Sequence, residues 1–355
     1  MTRRIGHSWI MSRFRAPVAV SAGVLALVLS GCSSTQDGQP TADPAASSTG
    51  TVASSTAQSA TASPESASSA FVYRLPGTGV FPEGITADDD SFWVTSTSDG
   101  AVFRGTVGDP EVRPFLAAGE NGRTGAAGLD VEDGDDDESG VLVIAGGATG
   151  RVWVHDAETG ELRATLTNGL GADATFLNDV VVGDDGEAYV TDSRSPVLWR
   201  VPPGAQGDGQ LEPAVSFDGT PFVYGEGFNA NGIVEVDDDA LVIVQSSTGN
   251  LYRVDEGSRE VTQVDLGGAT VQNGDGLEYD DDTLYVVRNR DGLIARVDLS
   301  DDGRSGRVTG EIRDPSFAYP TTAAAVDDRL LVVNSQFDKR GGEPVEPFTV
   351  SAVPR

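Results

Sequence analysis

Residues 231–244 read NGIVEVDDDALVIV, and residues 275–287 read DGLEYDDDTLYVV. Each is a polar dipeptide, a short apolar strand, an acidic turn and a second apolar strand. Four further copies follow the same plan: EGITADDDSFWV from Glu83, AGLDVEDGDDDESGVLVI from Ala127, NDVVVGDDGEAYVT from Asn178 and TTAAAVDDRLLVV from Thr321. The copies begin 44, 51, 53, 44 and 46 residues apart. A strand-rich unit repeated at this length is the signature of a β-propeller blade. The sequence therefore predicts an all-β fold over 71–355, a six-bladed β-propeller of four-stranded antiparallel blades. Alternation such as Thr283-Leu284-Tyr285-Val286-Val287 is common, and no stretch holds the apolar spacing of a helix.

Third strands follow polar turns, as in Arg151-Val152-Trp153-Val154 and Asn250-Leu251-Tyr252-Arg253-Val254. Leu162–Leu166 and Val261–Val264 read as fourth strands. The sixth copy lacks a fourth strand, and Phe71-Val72-Tyr73-Arg74-Leu75 stands unassigned before the first. The N-terminal strand is expected to close the last blade, with 348–353 as that blade's third strand, which removes an exposed sheet edge.

The segment before the repeats has a different character. Arg3, Arg4, Arg13 and Arg15 precede an apolar run from Ala16 to Leu29, too short to span a bilayer. The run ends in Leu29-Ser30-Gly31-Cys32, which resembles a lipobox; residues 1–31 then read as a lipoprotein signal peptide and Cys32 as the lipidation site. Cys32 is the only cysteine among 355 residues, so no intrachain disulfide forms. Residues 32–70 are rich in Ser, Thr and Ala with almost no charge, a disordered tether by composition. The expected location is the cell membrane, facing outside the cytoplasm.

The formal net charge is −31, and −35 without the four signal arginines. Such a surface excludes nucleic acid and anionic lipid headgroups as partners. Most of the acids sit in the repeated turns, where Asp and Gly favour hairpins. The stretch 133–138 lacks the spacing of an EF-hand loop and reads as a solvated turn. A monomer is expected.

Four copies open on an oxygen-bearing side chain: Glu83, Asn178, Asn231 and Asp275. A propeller brings equivalent positions of all blades to one central channel. Two carboxylates and two amide carbonyls form a hard-oxygen set suited to a divalent metal such as Ca²⁺, Mg²⁺ or Mn²⁺. Gly84, Gly232 and Gly276 follow three of these side chains and let backbones crowd near the axis. Asp179 alternates to the other face of its strand and is a weaker candidate. Arg123, Arg288 and Gln245 fall in or near loops that face the same channel and are candidates for substrate binding, with a rim salt bridge as the competing reading for Arg288. Only His7 and His155 are histidines, which leaves a Ser-His-Asp triad or a copper site without ligands.

The motifs Phe81-Pro82-Glu83-Gly84, Leu177-Asn178-Asp179, Asn231-Gly232-Ile233 and Gly274-Asp275-Gly276-Leu277 resemble those of the senescence marker protein / gluconolactonase family of six-bladed propellers, in the family's order. The resemblance implies a divalent metal, commonly Ca²⁺, held by Glu83, Asn231 and Asp275, with Asn178 beside it contacting substrate or water. It implies hydrolysis of sugar lactones and similar esters, the metal polarising the carbonyl while Asp275 helps activate water. Two readings therefore stand: a lipid-anchored lactone or ester hydrolase acting on a small-molecule substrate, and a non-catalytic ligand- or protein-binding propeller with a structural Ca²⁺. A strictosidine-synthase-like chemistry lacks a placeable base.

Overall fold

The computed structural model describes residues 70–88, 90–132, 140–183, 186–237 and 240–355. The segments expected to form a signal peptide (1–31) and a tether (32–69), with Cys32 between them, and the stretch 133–139 lie outside the described residues. Six sheets, each led by one of the repeated strands and antiparallel apart from one added strand in blade two, form the blades. The innermost strands are Pro82–Asp88, Leu129–Glu132, Leu177–Val182, Ala230–Asp237, Gly274–Asp280 and Pro320–Val326. Among the described residues the only helical elements are three single 3₁₀ turns, at Glu120–Gly122, Asn289–Asp291 and Phe337–Lys339.

Apolar residues pack between neighbouring blades rather than in one central core. Phe92, Val94 and Phe103 of blade one meet Leu331, Val333 and Val350 of blade six. Val242, Val244 and Leu251 of blade four meet Leu277, Leu284 and Val286 of blade five. This arrangement explains why second strands such as Ala240–Gln245 are buried throughout: they are covered by a blade on each side.

Phe71–Arg74 lies antiparallel to Thr349–Pro354 as the outermost strand of blade six, with Tyr73 opposite Val350. The Tyr73 ring stands edge-on to Phe92 at 4.8 Å, and its hydroxyl accepts from Gly108 N at 2.9 Å. The longest interval between copies, from Asn178 to Asn231, has a structural cause. Blade three takes Glu212–Ser216 as its fourth strand, and the inserted Gly207–Gln210 crosses to pair in parallel with Leu162–Thr167. Blade two is therefore five-stranded, where four antiparallel strands were expected.

Candidate metal centre at the hub

Each inner strand begins at the channel, and in five of the six blades its register slips at that point. The slips fall at Pro82/Ile85, Leu177/Val180, Ala230/Ile233, Gly274/Leu277 and Pro320/Ala323. A bulge re-aims the side chain it contains, and Glu83, Asn178, Asn231, Asp275 and Thr321 all lie inside these slips. Their blades are pressed together: a Cβ on Gly232 would lie 2.3 Å from the Asp275 carbonyl oxygen. A Cβ on Gly84 would lie 2.8 Å from that of Ala127. Hydroxyls stitch several neighbouring blades together. Thr95 Oγ1 donates to Ala127 O (2.6 Å), Thr191 Oγ1 to Asn231 O (2.8 Å) and Thr321 Oγ1 to Glu83 O (2.8 Å).

The four predicted ligands are all buried. Asn231 Nδ2 donates to Asp275 Oδ1 at 2.7 Å, and Asn289 Nδ2 donates to Asp275 Oδ2 at 2.6 Å. Asn178 Nδ2 donates to Ser193 Oγ, and Asn231 Nδ2 also donates to Ser246 Oγ, both at 2.8 Å. These serines settle which way the amides face. Ser193 spends its proton on Ala230 O and Ser246 on Gly274 O, each at 2.6 Å. Each hydroxyl can therefore only accept from its Asn, so the amide nitrogen is the bonded atom and the carbonyl oxygen is turned away from the serine.

Glu83 is 7% exposed, and among the described residues no donor reaches its carboxylate. Burial, then Asp275, then Asp179, push its proton affinity well above the ordinary carboxylate range. Burial also raises Asp275, against the lowering effect of the Asn289 and Asn231 amides. The hub is thus an acceptor set: one bare carboxylate, a second carboxylate held by amides, and two amide carbonyls. Such a set repels itself unless a cation or protons neutralise it. It suits a hard divalent cation with oxygen ligands. Among the described residues no three His, Cys, Asp or Glu gather in a metal-holding group, so the amides are indispensable to any such site.

The three residues expected to bind substrate are occupied elsewhere. Arg123 has no exposed surface; its Nε donates to Gly100 O (2.5 Å) and its Nη1 contacts His155 Nε2 (3.2 Å). His155 Nδ1 lies 3.0 Å from Gly160 O and so carries the proton, leaving Nε2 to accept from Arg123. This pair is a strut between blades one and two. Gln245, 1% exposed, bonds Asn229 and the Val223 carbonyl. Arg288 bonds Gln272 O and forms an ion pair with Asp291 at 2.7 Å, the rim salt bridge of the competing reading.

Sequence reasoning overlooked Ser193, Ser246 and Asn289, which stand 15, 15 and 14 residues after the hub residues they bond. That near-constant offset, from the top of one strand to the end of the next, was the available signal. A further acidic cavity of about 210 Å³ lies along the same inner strands, lined by Thr86, Asp130, Asp179 and Glu278 among others. Burial raises Asp130 to about 6 and Asp179 and Glu278 to about 8. Asp130 and Glu278 each stand three positions after the leading residue of their repeat, at Ala127 and Asp275.

No protein-family model matches the chain, and no curated protein matches its sequence. Its tertiary structure is similar to that of regucalcin from Agrobacterium tumefaciens, described as a calcium-binding protein. That likeness has 17% identity and a TM-score of 0.54 over 78% of this chain and 92% of that one. It is also similar to virginiamycin B lyase from Staphylococcus aureus (15% identity, TM-score 0.53, 75% and 81%). A third likeness is the PQQ-bound aldose sugar dehydrogenase from Streptomyces coelicolor (16%, TM-score 0.54, 80% and 97%). At these identities the likeness shows the propeller fold alone. The three descriptions name a calcium-binding protein, a lyase and a dehydrogenase, so function has to be argued from the site.

Proposed function

We propose that the chain is a divalent-metal-dependent hydrolase of lactones or related esters, held outside the cytoplasm by a lipid on Cys32. The observation that carries this reading is the acceptor-only hub, above all the buried Glu83 carboxylate that no described donor reaches. Glu83, Asn231 and Asp275 would hold the cation, with Asn178 beside it; Ca²⁺ is preferred, with Mg²⁺ and Mn²⁺ as alternatives. When bound, such a cation polarises an ester carbonyl and eases deprotonation of water. The calcium-binding description of the regucalcin neighbour supports the choice of ion.

The chain's own groups supply the remaining chemistry. Asn231 and Asn289 clamp one oxygen each of Asp275, which fixes the plane of the carboxylate. Burial raises its proton affinity toward the range in which a carboxylate takes a proton from water near neutral pH. Asn178, its amide nitrogen tied to Ser193, keeps a carbonyl oxygen to orient a water or a substrate hydroxyl.

Calorimetric titration of Ca²⁺, Mg²⁺ and Mn²⁺, paired with a lactone and ester panel, tests the reading. One cation bound per chain is expected, with turnover that EDTA removes and that Asp275→Asn and Glu83→Gln abolish. Cation binding with no turnover on any substrate would leave the structural-Ca²⁺ binding propeller instead. No cation binding would end both.

A further inference from the structure

The loops that lead into the strands carrying Asn178 and Asn231, together with the turn at Arg194, form an open cleft. It measures about 380 Å³ and is lined by Asp173, Arg194, Gly225, Gly227, Phe228 and Asn229 among others. Its floor is built rather than incidental. Asn229 is 2% exposed; its Oδ1 accepts from Gly225 N and Gln245 Nε2, and its Nδ2 donates to the carbonyls of Ser193, Gly225 and Gly227. Tyr224 Oη donates to Asp192 O at 2.7 Å and pins the same loop from its other end. One wall is aromatic: Phe228, 45% exposed, stands edge-on to Phe176 at 5.0 Å.

Arg194 supplies the charge. Its guanidinium lies 5.8 Å from the Phe176 ring, and its Nη1 donates to Ala172 O at 2.8 Å. Arg113, Arg200, Arg288 and Arg313 each pair with a carboxylate. Arg194 pairs with none among the described residues, although acids outnumber bases by 55 to 24. Asp173 lines the same cleft yet forms no ion pair with it. A cation held in place by an aromatic ring and a backbone carbonyl, beside a partly exposed phenyl ring, matches a ligand with one carboxylate and an aromatic body. Asp173 and the negative field of the chain disfavour a second negative charge.

We propose that this cleft binds an aryl or arylalkyl monocarboxylate, with the carboxylate on Arg194 and the ring against Phe228. The site is independent of any metal at the hub. It is joined to the hub along the chain, through the Ser193–Arg194 and Asn229–Asn231 segments.

The test is calorimetry on the full-length chain with 4-phenylbutyrate, against the neutral 4-phenylbutanol, with and without EDTA. The acid should bind about tenfold or more tightly than the alcohol, with EDTA making no difference. Arg194→Gln should lose about tenfold, Arg194→Lys less, and Phe228→Ala several-fold, each with a melting temperature near wild type because both side chains are exposed. Arg340→Gln removes an arginine stacked on Phe81 and Phe337 away from the cleft, and should leave binding within about twofold. Equal binding of acid and alcohol, unchanged binding by Arg194→Gln, or no binding of either probe would each overturn the proposal.

Discussion

Asn231 and Asp275, 44 residues apart, join two blades through one hydrogen bond of 2.7 Å between buried side chains. Ser246 takes a second proton of the same amide nitrogen, so Asn231 has no donor left and presents only its carbonyl oxygen. The bond thus does two things at once. It holds the Asp275 carboxylate in place, and it turns an amide into an acceptor at the hub.

Replacing Asn231 by Ala should weaken both functions. The lost donor leaves one Asp275 oxygen unpaired, at a cost of about 1–3 kcal/mol in urea unfolding of the metal-free chain. Cation affinity should fall by about tenfold or more, because one oxygen ligand is gone and the other is no longer held. Calorimetry on wild type and variant reads the second effect separately from the first.

Gly232→Ala places a methyl group 2.3 Å from the Asp275 carbonyl oxygen, a backbone atom that cannot step aside. The expected loss is about 1–3 kcal/mol, or failure to fold. Gly310→Ala, where no atom lies within 4 Å, is the control and should leave the unfolding midpoint nearly unchanged.

Glu278 binds its proton more tightly folded than unfolded, because burial raises it to about 8. Its contribution to stability is therefore fully present below the ordinary carboxylate range and is lost as pH rises toward 8. Asp130, raised to about 6, acts with the same sign over a lower window. The metal-free chain should melt at progressively lower temperature between about pH 5 and about pH 9, by scanning calorimetry in EDTA, a window of about one unit beyond these values at each end. Glu278→Gln should flatten the upper part of that slope; an unchanged slope would show that Glu278 does not titrate in the fold.

Tyr73 is 1% exposed and ties the outermost strand of blade six to blade one, through Phe92 and through Gly108 N. Tyr73→Ala should cost about 3–5 kcal/mol, as for a central aromatic. A loss below about 1 kcal/mol would show that ring closure contributes little.

Cys32→Ala should release the chain from the membrane fraction into the soluble extracytoplasmic fraction, and abolish incorporation of labelled palmitate. Retention in the membrane would remove the lipid anchor from the proposed function.

The blades were legible because the information is local. Strand alternation, Asp-Gly turns and the recurring dipeptides report on chain segments of about a dozen residues, and six copies in sequence order force a ring. The hub residues were legible for the same reason: one register of a repeat maps to one radius of the wheel. The spare strand Gly207–Gln210 was not legible, because four residues containing two glycines carry no strand periodicity.

Sequence by itself thus determined the architecture and named the four oxygen-bearing side chains at the hub. Only the tertiary structure decided which polar groups remain free there. Arg123 and Gln245 are consumed by partners 23 and 16 residues away, among them Gly100 and Asn229, while the proton of Ser193 goes to Ala230, 37 residues on. Hydrogen bonds saturate, and each donor spent on one acceptor is denied to every other. What is left over at the hub therefore depends on pairings across blades, which the spacing of residues along the chain does not encode.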